Sequence, residues 1–181
     1  MMTTRTQIVK GAYTLAEETD WESAYGVYLP RVYNFFRYRV GDRTLAEDLT
    51  ARTFEKAWRG RGRFRRDLSA FSTWLFTIAH RVAIDHFRRK EPQVSLEVVH
   101  EPADPVSLEE TVQRNHDFAR LNAMLSQLTV RERELVAFKY GAGLNNREIA
   151  RLTRLSESNV GIILYRVIEK LRIELGVDDE R

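Results

Sequence analysis

One segment constrains the fold of this chain more than any other, the run from Ser69 to Lys90. Phe71, Trp74, Leu75, Ile78, Ala79 and Val82 recur at the i, i+3, i+4, i+7 spacing that gathers apolar side chains on one face of an α-helix. After Ile84 the apolar content fades, and Arg88, Arg89 and Lys90 follow in a row. A stripe of this kind must be covered by other elements. A helix rooted in a core and tipped with cations presents charge to a fixed anion.

The neighbouring segments supply the covering helices. From Glu22 the pattern turns helical, and Tyr25, Tyr28, Leu29, Val32, Tyr33 and Phe36 form a wide aromatic stripe. Gly41-Asp42 breaks it, and Thr44-Leu-Ala-Glu47 reads as a capping box opening the next helix. Leu45, Leu49, Phe54, Ala57 and Trp58 give that helix its apolar side. A basic loop from Arg59 to Arg66 leads into the helix described first. Residues 91–117 hold three of the four prolines, many acids and little periodicity, which marks a flexible linker. Ser107-Leu-Glu-Glu110 could start a short helix within it.

A second helical unit begins near Asp117, with Phe118, Leu121, Leu125 and Leu128 as its first stripe. Thr129-Val-Arg-Glu132 is a capping box for a helix carrying Leu135, Val136 and Phe138, which Gly141-Ala-Gly143 closes. Asn145-Asn-Arg-Glu148 caps the next, a turn falls near Arg154-Leu155, and a last helix runs from about Ser156 to Leu171. No strand signal of comparable quality occurs. The expected fold is all-α, with two small helical domains joined by a flexible acidic linker. The boundaries are a disordered tail over 1–21, a domain over 22–90, the linker over 91–117, a domain over 118–176 and a tail over 177–181.

Composition narrows the function classes. No cysteine occurs, which removes disulfides and thiolate metal sites. His80, His86, His100 and His116 lie apart without metal-site spacing, so neither metal nor cofactor is expected. No run approaches the ~18 apolar residues of a membrane span, and no apolar leader opens the chain. A soluble, cytoplasmic protein without membrane insertion is expected. No nucleophile-base-acid constellation or phosphate-cradling glycine loop appears, so no catalysis is expected. The net charge is only +3, yet residues 59–90 hold nine Lys/Arg against two acids, and residues 91–117 hold one Arg against seven acids. That contrast suggests a nucleic-acid surface beside a linker that avoids it or mimics it.

The second domain carries a helix-turn-helix pattern. Ala150 is small where two helices would cross, and Ile149, Leu155, Val160 and Ile163 sit where the motif needs apolar contacts. Ser156 suits the N-cap of the second helix, whose first polar residues would reach base edges in the major groove. An ordinary helical hairpin is the bland alternative. Arg154 stands where the turn needs a left-handed residue, at a cost of roughly 1–2 kcal/mol. Gly161 inside the recognition helix costs about 1 kcal/mol against alanine. It either lets the backbone approach DNA or is tolerated drift.

Together the two halves resemble a known family. Ala46-Glu-Asp-Leu49, Thr53-Phe54, Ala57-Trp58, Phe64, Ser72 to Ala79, Asp85 and Arg88-Arg89 resemble region 2 of bacterial RNA polymerase sigma factors. Residues 118–176, with Glu148-Ile-Ala150 and Tyr165-Arg166, resemble their region 4. The order and the short linker are similar to the extracytoplasmic-function (ECF) group. The resemblance implies a transcription initiation factor whose partners are the clamp and flap of the polymerase core, promoter DNA and an anti-sigma factor. It places core binding on Glu47, Asp48, Phe54 and Trp58, with Ala51 and Arg52 departing from the family pattern. It places minus-ten recognition on Arg61, Arg63, Phe64, Arg65, Arg81, Asp85, Arg88 and Arg89, with base capture in the loop from Arg59 to Ala70. It places minus-thirty-five recognition on Ser156, Ser158, Asn159, Gly161, Ile162, Tyr165 and Arg166.

The residues agree with that reading on their own terms. Taking a base out of its stack costs a few kcal/mol, offset by an aromatic surface for the base and cations for the phosphates. The basic loop supplies both, although a charge run of this kind is by itself usually a solvated face. Phe71 and Ile78 read as core, and Trp74 as core in preference to a DNA contact. The rival function is a conventional helix-turn-helix regulator that binds palindromic duplex without polymerase.

Overall fold

Gly41 and Asp42 divide the first half of the chain. In the computed structural model, which describes residues 21–64, 70–90 and 118–175, helix α1 (Trp21–Val40) ends where Gly41 turns to φ +79°. Glycine adopts that left-handed conformation without steric penalty. Asp42 then caps α2 (Arg43–Gly60), its Oδ1 accepting the Leu45 N–H at 2.6 Å. The capping box expected at Thr44 does not form; Asp42, two residues earlier, caps the helix with its side chain alone. Asp42 already has the extended backbone a cap requires, so Thr44 falls inside the first turn and Glu47 pairs with Arg43 at 3.0 Å.

A 3-10 turn (Arg61–Arg63) follows α2, and α3 spans Phe71–Lys90. In the second half α4 covers 118–126, and α5 (Val130–Val136) runs into a π turn (Ala137–Gly141). Helices α6 (Asn146–Thr153) and α7 (Glu157–Leu175) complete the chain. Every described element is helical. Both capping boxes expected here form, Thr129 with Glu132 and Asn145 with Glu148, each satisfying two orphan N–H groups.

The π turn is not indicated by the sequence pattern. Ala142 N–H bonds to Ala137 O, five residues back, at 2.9 Å. The turn lays Gly141 against α1, where a Cβ would sit 2.8 Å from Asn34 O. Glycine alone lets the two backbones come this close.

One hydrophobic core joins the two halves. Phe35 and Phe138 are fully buried and stack with centroids 4.7 Å apart, among Phe36, Leu75, Phe76 and Leu135. Phe35 lies outside the expected α1 stripe, whereas Tyr25, inside it, is half exposed. Both follow from the second half packing on a face of α1 that the stripe left open. Arg31 Nε donates to Ala142 O and Arg133 Nε to Tyr38 O, each at 2.8 Å, so charged side chains satisfy carbonyls across the junction.

Trp21, expected in the disordered tail, is the first residue of α1. Its ring meets Trp58, Phe71 and Trp74 edge-on at 5.6 to 6.2 Å, and such contacts are worth about 0.5–1.5 kcal/mol beyond burial. The rest of that tail, the linker with its Ser107–Glu110 helix start, Arg65, Arg66 and the C-terminal tail lie outside the described residues. Among the described residues no helix is long and apolar enough to cross a membrane.

Candidate nucleic-acid interface

The expected division of α3 is present. Leu75, Phe76, Ala79 and Val82 are buried, and Phe71, Trp74 and Ile78 pack partly against the core. On the other side Arg81, Arg88 and Arg89 are exposed. Asp85 lies between Arg88 (3.2 Å) and Lys56 (3.9 Å). Exposed pairs of this kind contribute about 0–1 kcal/mol, so Arg88 can exchange its carboxylate for a phosphate at little cost.

The aromatic surface expected of the basic loop is shared with the helices around it. Phe64 is half-buried, edge-on to Phe71 (5.5 Å, 88°) and tilted against Trp74 (5.1 Å). Its ring joins Trp21, Trp58, Phe71 and Trp74 in one aromatic cluster, because Trp21 closes the group from α1. The Arg61 guanidinium lies 3.8 Å over the Trp58 ring and also donates to Trp58 O (2.8 Å). Arg63 is exposed beside this cluster. Rings flanked by cations are what stacked bases and their phosphates require.

On α2, Glu47 and Asp48 are exposed, and Asp48 lies 3.7 Å from Arg52, the residue that departs from the family pattern. Trp58 is 51% exposed, whereas Phe54 is buried against Tyr25 with centroids 4.8 Å apart. Phe54 therefore holds α1 to α2 and does not itself reach a partner's surface.

The helix-turn-helix folds as its sequence requires. Arg154 takes φ 59°, ψ 30°, the left-handed conformation of the turn. Ser156 Oγ accepts the Asn159 N–H at 3.1 Å and caps α7. Ile149, Ala150 and Val160 are buried, with Leu155 and Ile163 partly so. Ser156, Ser158, Asn159, Ile162, Tyr165 and Arg166 are exposed, Tyr165 by 68%. A Cβ on half-buried Gly161 would meet only Asn146 Nδ2 at 3.5 Å, an ordinary contact. The folded chain does not need this glycine, and Gly161→Ala is expected to add about 1 kcal/mol of stability in a thermal melt. Affinity for duplex measured on the same variant decides between the two readings of Gly161: a loss marks close backbone approach, and no change marks drift.

A further feature arises only in three dimensions. A cleft of about 1160 Å³ opens between α3 and the α5–α6 segment. Arg81 and Arg88 of α3 share it with Arg151 and Arg154 of the helix-turn-helix, and Arg39 and Arg131 line it as well. The only acid in the lining is Glu134, which accepts from His80 Nε2 (2.9 Å) and Arg131 (3.0 Å) and lies 3.8 Å from Arg39. Burial pushes the Glu134 carboxyl up, but the His80 hydrogen bond and the charges of His80, Arg39 and Arg131 outweigh it and hold the group below its ordinary value. No local signal marks these residues as neighbours, since they come from four different helices. Among the described residues no group of His, Asp and Glu is arranged to hold a metal ion.

Comparison with known proteins fits this arrangement. Residues 24–92 match the family described as Sigma-70 region 2, and residues 118–171 match Sigma-70, region 4. The chain is 32% identical over 161 residues to the RNA polymerase sigma factor CarQ of Myxococcus xanthus, covering 86% of this chain and 89% of CarQ. It is 31% identical over 160 residues to the ECF RNA polymerase sigma factor BldN of Streptomyces coelicolor, covering 87% of this chain and 60% of BldN. Its fold is like that of the sigma factor RpoE from Bartonella quintana, solved with the anti-sigma factor NepR, at a TM-score of 0.68 and 20% identity over 89% of this chain and 99% of that one. A conventional helix-turn-helix regulator is not favoured, because the matches extend over both halves. The chain belongs to the RNA polymerase sigma factors, in their extracytoplasmic-function group.

Proposed function

We propose that this protein binds the core of RNA polymerase and directs it to a set of promoters, with no catalytic step of its own. The observation that carries the reading is α3, a buried apolar root bearing an exposed row of Arg81, Arg88 and Arg89 beside an aromatic cluster. In this reading Glu47, Asp48 and Trp58 form the surface offered to the polymerase clamp, with Phe54 as its support. Arg61, Arg63, Phe64 and the α3 row take the melted minus-ten strand, joined by Arg65 of the loop. Ser156, Ser158, Asn159, Ile162, Tyr165 and Arg166 take the minus-thirty-five duplex, and the second half also meets the flap. The protein works in the cytoplasm, where the polymerase is. A solved relative was captured with an anti-sigma factor, and an inhibitor of that class is proposed for this chain too.

Co-purification with core polymerase followed by promoter-specific run-off transcription tests the reading. Core binding without any promoter-dependent transcript would overturn it. The Arg88→Ala/Arg89→Ala double variant is expected to form fewer open complexes. The slope of log affinity against log salt should also flatten by about 1.4, since each single-strand phosphate contact contributes roughly 0.7. An unchanged slope in the titration would place these arginines off the phosphates.

A further inference from the structure

The cleft between α3 and α5–α6 gathers cations from two sides. Arg39 is buried against Glu134, but the other five arginines of the lining are exposed. Arg88 and Arg131 each have a carboxylate neighbour, Asp85 at 3.2 Å and Glu134 at 3.0 Å. Arg81 of α3, Arg151 of α6 and Arg154 of the turn have no ionic or hydrogen-bond partner among the described residues. Arg154 holds its charge at φ 59°, a position that glycine would take without strain. Like charges on the two walls repel until an anion lies between them.

Between the cations the lining is apolar. Ile84 and Val130 are 47% and 72% exposed, with Phe87 and Leu152 beside them. These four side chains come from α3, α5 and α6, so several bases rather than one are needed to cover them. Arg81, Ile84 and Arg88 stand at i, i+3 and i+7 on one face of α3. Arg81 and Arg88 are about 10 Å apart along the axis, the length of about three stacked nucleotides at roughly 3.4 Å each. A duplex turns its base faces inward and offers such a surface only phosphates and groove edges. A single strand offers both, phosphates to the arginine forks and base faces to the apolar side chains. Its row of phosphates also serves cations on both walls, which the clustered phosphates of one nucleotide do not.

We infer that this cleft binds a single nucleic-acid strand, held between Arg81 and Arg88 on α3 and Arg151 and Arg154 on the helix-turn-helix, with its bases against Ile84 and Leu152. The strand neutralises the two walls and draws the halves together, so the site belongs to the compact chain and is separate from the α7 face proposed for duplex. Arg81 and Arg88 serve this strand and the melted minus-ten strand alike. That overlap rests on the function proposed above; the part given to Arg151 and Arg154 does not.

Fluorescence anisotropy of a labelled, mixed-sequence oligodeoxynucleotide, titrated with the full chain at several salt concentrations, tests the site. In Arg151→Gln/Arg154→Gln the slope of log affinity against log salt should flatten by about 1.4, and affinity at 0.1 M salt should fall about 25-fold, because two single-strand phosphate contacts worth roughly 0.7 each are lost. In the original chain, unlabelled strand should shift the amide signals of Ile84 and Arg88 together with those of Leu152, Thr153 and Arg154, a readout that needs no variant to fold. An unchanged slope, or shifts confined to α3, would overturn the inference. So would displacement of the labelled strand as readily by a hairpin duplex, by ATP or by polyglutamate, which would mark a duplex surface, a nucleotide pocket or a groove for acidic peptide. Run-off transcription reads the proposed function separately. Transcript without amide shifts on α6 removes the cleft site alone, and such shifts without transcript remove the proposed function alone.

Discussion

Phe138→Ala is expected to lower the stability of the chain by about 3–5 kcal/mol and to separate the unfolding of its two halves. Phe138 is fully buried, stacks on Phe35 of α1 at 4.7 Å and meets the His80 ring edge-on at 5.4 Å. It stands in the π turn whose Gly141 lies against the α1 backbone, so the cavity left behind cannot close by sliding the turn inward. Urea unfolding followed by two probes reads both effects. Trp21, Trp58 and Trp74 all belong to the first half, so fluorescence reports that half while far-UV circular dichroism reports the whole. The two curves should coincide in the original chain. In Phe138→Ala the dichroism curve should begin to fall at lower urea than the fluorescence curve. A loss below about 1 kcal/mol, with curves still coincident, would show that the Phe35–Phe138 stack does not couple the halves.

The local devices of this fold are legible in the sequence because each is carried by neighbouring residues. The stripe from Phe71 to Val82, the Thr129 and Asn145 capping boxes, Ser156 as a cap and Arg154 in the left-handed turn all depend on a few positions along one chain segment. Where two local signals compete, as at Asp42 and Thr44, the backbone of the flanking glycine decides, and spacing alone does not show it. The features that escape are those created by the second half meeting the first. Phe35 reads as off the apolar stripe until Phe138 covers it. Glu134 sits in an Arg-Glu-Arg-Glu run that looks solvated, yet it is 6% exposed. The candidate site divides in the same way. The α3 cations and the α7 face follow from helical periodicity, whereas the Trp21 ring in the aromatic cluster and the Arg151–Arg154 side of the cleft depend on packing between segments far apart in sequence.

Glu134→Gln is expected to cost about 3 kcal/mol at neutral pH, because it leaves the Arg39 guanidinium buried without a counter-charge. Arg39 is 6% exposed, its guanidinium also lies 4.6 Å over the Phe87 ring, and the nearby Arg131 and Arg133 add like charge. A double variant, Glu134→Gln with Arg39→Met, should recover most of the loss, since an apolar side chain of similar volume needs no counter-ion. The same pair predicts a pH dependence of definite sign. The folded-state carboxyl is held below its ordinary value of 4.5, so its contribution is complete above that value and is lost as the pH falls through the lower, folded-state value. The stability gap between the original chain and Glu134→Gln should therefore close as the pH falls below about 4.5, through the folded-state value. Chemical denaturation at a series of pH values measures that gap directly. A gap that persists unchanged well below pH 4.5 would mean that the ionised carboxylate is not what holds α5 to α1 and α3.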